Sequence, residues 1–123
     1  MDVVMQESRR FGKSLRKLSF KDQERVRNQV TKVLHALSSG DSATPFLHVT
    51  RATKLAYGLD GSLWIMRVSR DLRVLVTIDN DPLFDQTLVT LLDTAHVDKL
   101  DRTLQSVSES LYQGLLQQEV DGD

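Results

Sequence analysis

The sequence predicts an α+β fold: a small sheet built on a tight hairpin, with amphipathic helices before and after it. Two observations predict it. The segment SLWIMRVSRDLRVLVTID, Ser62 to Asp79, carries two alternations that interlock if Ser69-Arg70-Asp71 forms a three-residue loop. Val68 then faces Leu72, Arg67 faces Arg73, and Trp64, Met66, Val68, Leu72, Val74, Val76 and Ile78 share one face. That is a core face. Apolar residues also recur at helical spacing on both sides of the hairpin. Val26, Val30, Val33, Leu34 and Leu37 precede it, and Leu100, Leu104, Val107, Leu111 and Leu115 follow it.

The elements follow in order. Val3 to Met5 reads as a short edge strand. A first helix is expected over about Glu7 to Leu18, with Phe11, Leu15 and Leu18 on one stripe. Ser19 with Asp22 three residues on resembles a helix N-cap with an acidic partner. The second helix runs to about Leu37, with Lys21, Arg25, Arg27 and Lys32 on its outer side, and Ser38-Ser39-Gly40 ends it. Asp41 to Pro45 reads as a loop, and Phe46 to Tyr57 as a short alternation (Leu47, Val49) broken by Arg51 and Lys54. Gly58-Leu59-Asp60-Gly61 reads as a turn. After the hairpin, Asn80-Asp81-Pro82 interrupts the sheet, and Thr87 to Ala95 reads as a strand apolar on both sides, hence central. A last helix is expected from Asp98 to about Gln118.

Length and composition set the bounds. A chain of 123 residues with 40% hydrophobic content fits one domain, 1–123, with 103–123 as a helical extension. There are no cysteines, which removes disulfides and thiolate metal sites. No run resembles a signal peptide or a membrane span, so a cytoplasmic protein with no membrane partner is expected. No metal-ligand cluster or phosphate-cradling glycine loop is present, so no cofactor is expected.

The net charge of -1 conceals a segregation. From Arg9 to Arg73 fourteen Lys/Arg stand against five Asp/Glu, whereas from Val74 onward two basic residues stand against ten acidic ones. A basic surface for an anionic partner follows, beside an acidic tail that can screen it. The facing Arg67 and Arg73 sharpen this, because like charges directly opposite destabilise a hairpin. Two readings account for them: an anion site, or ion pairs with Asp93 or the acidic tail.

The order strand, two helices, then strands around Trp64-Ile65-Met66-Arg67-Val68 and Leu72-Arg73-Val74, ending in Ala95-His96, resembles the RelE/ParE toxin superfamily. Leu15 and Leu18 match its Leu-x-x-Leu first helix, and the likeness covers about Phe11 to Arg102. His96-Val97-Asp98 is also similar to the histidine-aspartate pair of a helicase-linked sub-branch. The resemblance implies an antiparallel-dominated sheet with two N-terminal helices on one face, to which this chain adds its C-terminal helix. It implies the toxin of a type II toxin–antitoxin pair, with a cognate antitoxin as partner.

Ribonuclease members cleave ribosome-bound mRNA without metal. Carried over by position, Arg73 would hold the scissile phosphate, Arg67 would assist it, and His96 would act as general acid. Arg51, Lys54 and Arg70 would contact the nucleic acid. The chemistry suits these types, since guanidinium groups match phosphorane charge and histidine titrates near neutrality. Ile65 or Trp64 occupies the second basic position, however, and Leu100 or a neighbour stands where a tyrosine is expected. Three readings follow: an mRNA endoribonuclease, a non-nucleolytic poison of a protein such as gyrase, and a helicase-associated regulatory domain. The C-terminal stripe has two placements, on the open sheet face beside Ile65 and Leu75, or against a second copy as a homodimer.

Overall fold

In the computed structural model, residues 2–40, 47–49, 63–81 and 83–121 are described, with backbone alone at 47–49, 111–112 and 114–121. The chain runs β1 (Asp2–Glu7), α1 (Arg9–Arg16), α2 (Phe20–Ser38), β2 (Leu47–Val49), β3 (Leu63–Arg67), β4 (Leu72–Asp81) and β5 (Gln86–His96). A 3-10 turn (Val97–Lys99) then leads into α3 (Leu100–Asp121). The strands form one sheet in the order β1-β5-β4-β3-β2, antiparallel except for the parallel β1–β5 pair. This is the expected α+β class. The expected loop at Asp41 to Pro45, the turn at Gly58 to Gly61, and Arg51 and Lys54 lie outside the described residues.

The hairpin has the register its alternation requires. Trp64 pairs with Val76, Met66 with Val74 and Arg67 with Arg73. The amides of Val68 and Ser69 both donate to the Leu72 carbonyl, closing a three-residue loop. All seven residues expected on one face join a single core with Phe11 and Leu15 of α1 and Val26, Val30, Val33 and Ala36 of α2. Leu34 and Leu37, expected in that core, are half-buried against it. Each of its large side chains, removed from water, stabilises the fold by about 1.5–3 kcal/mol.

Local hydrogen bonds set the helix boundaries. Ser19 caps α2, its hydroxyl accepting from the Asp22 amide at 3.1 Å. Gly40 follows the helix at φ 75°, the left-handed conformation that glycine enters without a Cβ penalty. At α1 the expected start at Glu7 moves to Arg9. Ser8 is the cap, accepting from the Phe11 amide at 3.0 Å and donating to the Leu92 carbonyl at 2.9 Å. Glu7 stays in β1, opposite Leu91.

The other face of the sheet is covered by α3. Leu104 and Val107 are buried against Leu63, Leu75 and Leu92, with Ile65 and Leu100 at the margin. Of the two placements open to the C-terminal stripe, these residues take the one on their own sheet. Among the described residues, no helix is long and apolar enough to cross a membrane.

One irregularity shifts the alternation of β5. Val76 pairs with Leu91 but Leu75 pairs with Asp93, so β5 holds one residue, Leu92, more than β4 does there. Leu91 and Leu92 face the α1/α2 core and α3 as ordinary strand neighbours do, and the bulge then sets Asp93, opposite Leu75, on the same side as Leu92, so the alternation is shifted from there on.

Candidate functional site

Arg67 is the last residue of β3 and Arg73 the second of β4, directly opposite each other beside the hairpin loop. Both lie on the sheet face that carries Leu75 and Ile65. Arg67 is exposed and Arg73 half-buried. The Arg73 guanidinium folds back over the loop, where Nη1 donates to the carbonyls of Ser69 (2.5 Å), Leu72 (3.1 Å) and Arg70 (3.4 Å). Burial lowers its pKa below the ordinary guanidinium value and the facing Arg67 lowers it further, while Asp71 acts in the opposite sense. Among the described residues, no carboxylate lies within salt-bridge distance of either arginine. Among the described residues the loop backbone holds one nitrogen of Arg73, and the rest of its fork has the geometry to meet an anion. Arg70 sits exposed at the loop itself.

His96 is placed differently. It pairs with Leu72, whose side chain enters the α1/α2 core, whereas Arg73 pairs with Ala95. Neighbouring residues of a strand point to opposite faces, so His96 and the arginine pair lie on opposite sides of the sheet. The bulge decides this. Alternation counted from Leu91 without an extra residue would put His96 on the arginine side; Leu92 shifts the phase by one. The histidine instead lines an open cleft of about 700 Å³ with Asp22 and Arg25 of α2, Asp71 of the hairpin loop, and Asp98 and Lys99. The Val97 amide, donating to the Asp71 carbonyl at 2.9 Å, fastens that corner. Among the described residues, no three His, Asp or Glu side chains gather as metal ligands would.

Asp93 belongs to a different cation from those the sequence suggested. Its Oδ2 accepts from Arg10 Nε at 2.7 Å, and its Oδ1 accepts from the Thr94 amide at 2.9 Å. Arg10 Nη2 also donates to Ser106 Oγ at 2.8 Å, so one guanidinium joins α1, β5 and α3. The available signal was a lone carboxylate within TLVTLLDTA, which requires a partner once buried. Its distance of 83 residues from Arg10 hid which one.

Chemically, the arginine side presents two cations and, among the described residues, no proton-transfer group aimed with them. It can bind a phosphate or a carboxylate. The histidine side offers an acid–base group amid mixed charge. Neither a family model nor a curated protein matches this sequence.

Proposed function

We propose that the chain is a RelE/ParE-like, toxin-type protein that acts by binding an anionic partner across Arg67 and Arg73, rather than by cleaving RNA there. The observation that supports binding is the facing arginine pair, which repels itself in the free protein and has no carboxylate among the described residues. A cognate antitoxin would neutralise the same pair with acidic side chains. The placement of His96 on the other face favours the non-nucleolytic reading over the endoribonuclease, since general acid catalysis requires hydrogen-bond reach of the leaving oxygen.

The test is induced expression of the wild type, Arg67→Gln/Arg73→Gln and His96→Gln, with and without the flanking gene, followed by mapping of mRNA 5′ ends. The wild type and His96→Gln should inhibit growth equally, and the double-arginine variant should be harmless while still folded. Full toxicity of that folded variant overturns the arginine assignment. New mRNA ends that depend on His96, slowed about 10²-fold or more in His96→Gln, restore the nuclease reading.

A further inference from the structure

Helix α1 breaks several rules of helix electrostatics at once. Its eight residues hold four cations, Arg9, Arg10, Lys13 and Arg16, with no acidic residue in the first turn, and Lys17 follows as the C-cap. Arg9 and Arg10 stand at the end where the helix dipole disfavours positive charge. Arg9, Lys13 and Lys17 repeat at i, i+4 and i+8, so like charges stack along one stripe. Of these five cations only Arg10 has a carboxylate partner among the described residues, the buried Asp93. Lys13 and Arg16 in the last turn suit the dipole and Arg10 has its structural partner, but Arg9 at the first turn and the like-charge repeat of Arg9, Lys13 and Lys17 give the helix no stability.

The stripe borders a cleft. Arg9, Arg10, Lys13 and Lys17, with Ser14 and Asp93, line an open depression of about 510 Å³ beside the outer edge of β5. Its base is fixed. Asp93 clamps Arg10, and Ser14 Oγ accepts from the Thr94 amide at 3.2 Å. The remaining three cations project along it, successive members about 6 Å apart by helix rise, a step close to that between neighbouring phosphates of a single strand.

Two classes of polyanion carry such charge, nucleic acids and acidic polypeptides. The lining favours the first. A protein partner anchors on an apolar centre ringed by polar groups, and among the described residues no apolar side chain lines this cleft. The exposed apolar residues Phe20, Leu83 and Phe84 are not among its lining residues. Binding through phosphates needs only regularly spaced cations. We infer that the α1 cleft is a sequence-independent site for the phosphodiester backbone of single-stranded nucleic acid, contacted by Arg9, Lys13 and Lys17. This site is separate from the arginine pair and does not rest on the function proposed for it.

The experiment titrates the full chain against a fluorescein-labelled uridylate of about 20 nucleotides by anisotropy, between ~50 and ~200 mM salt. The wild type should bind with an affinity that falls steeply as salt rises. Arg9→Gln/Lys13→Gln/Lys17→Gln should reduce the log–log salt slope by about 2, near 0.7 for each phosphate contact removed, and weaken binding at least tenfold at ~100 mM salt. Arg9→Lys/Lys13→Arg/Lys17→Arg should keep the wild-type slope. The α1 substitutions are also placed in the Arg67→Gln/Arg73→Gln background, where the same further loss of slope is expected. That separates failure of this site from failure of the arginine pair. An unchanged slope in the triple glutamine variant overturns the inference, as does a wild type that does not bind the uridylate. Equal binding of poly-glutamate, lost through the same substitutions, overturns it in favour of an acidic protein partner.

Discussion

Asp93 shows how much one buried charge determines. It is 5% exposed, the one acidic residue of β5, and both its oxygens are occupied. Removing one partner of a buried pair leaves a charge without compensation, at a cost of about 3–5 kcal/mol. The Arg10 side chain is 38% exposed, so water offsets part of that. Arg10→Gln should therefore destabilise the fold by about 1–3 kcal/mol, read from urea denaturation midpoints. Loss of the bond to Ser106 should also speed amide exchange in α3 more than in α2. Equal exchange in both helices would show that Arg10 holds α3 no more firmly than it holds the rest. The arginine pair was legible as facing residues because both lie within one hairpin. Their freedom from Asp93 was not, because Arg10 meets that carboxylate only through the tertiary fold.

Among the elements, legibility followed the range of the forces involved. The hairpin was readable to the residue because its alternation, its loop and its pairing are all local. The α2 cap was readable from Ser19 and Asp22 for the same reason. The start of α1 was not, since Ser8 owes its role partly to the Leu92 carbonyl across the sheet. The bulge in β5 left no mark, because pairing with β4 rather than residue type decides that Leu92 and Asp93 share a face. Nor was the parallel pairing of β1 with β5 legible from an apolar run as short as Val3 to Met5. Helix α1 is intrinsically weak, carrying Gly12 mid-helix besides its cations. A Cβ at Gly12 would meet Arg16 Nη1 at 3.7 Å, an ordinary contact. Gly12→Ala should therefore raise stability by about 0.5–1 kcal/mol, seen as a higher melting temperature. A lower one would mean that the helix needs the freedom glycine provides.

At the scale of the molecule, the sheet is clad on both faces, by α1 and α2 on one side and α3 on the other. The described part of α3 is thus a structural wall rather than an appendage. Deleting residues 103–123 would uncover Leu63, Leu75 and Leu92 together, an apolar surface that seeks cover by self-association. The truncated chain should aggregate or dimerise in light scattering and lose protection across β3 to β5. A stable, monomeric truncation would contradict the packing of Leu104 and Val107. The candidate sites divide along the same planes. The arginine pair lies on the α3 side, His96 on the α1/α2 side, and the cation stripe of α1 along the edge that β1 leaves free beyond Leu91.

The extra residue at Leu92 also bears on descent. A relative that keeps the bulge but is one residue shorter between Leu91 and the histidine would hold that side chain on the arginine face of the sheet. Letter for letter, the two strand ends could be identical. A single codon gained or lost in a strand would then carry an acid–base group through the sheet without altering any residue of the site. Among sequences of this shape, the number of residues before the histidine, rather than its presence, would decide which face of the sheet it occupies.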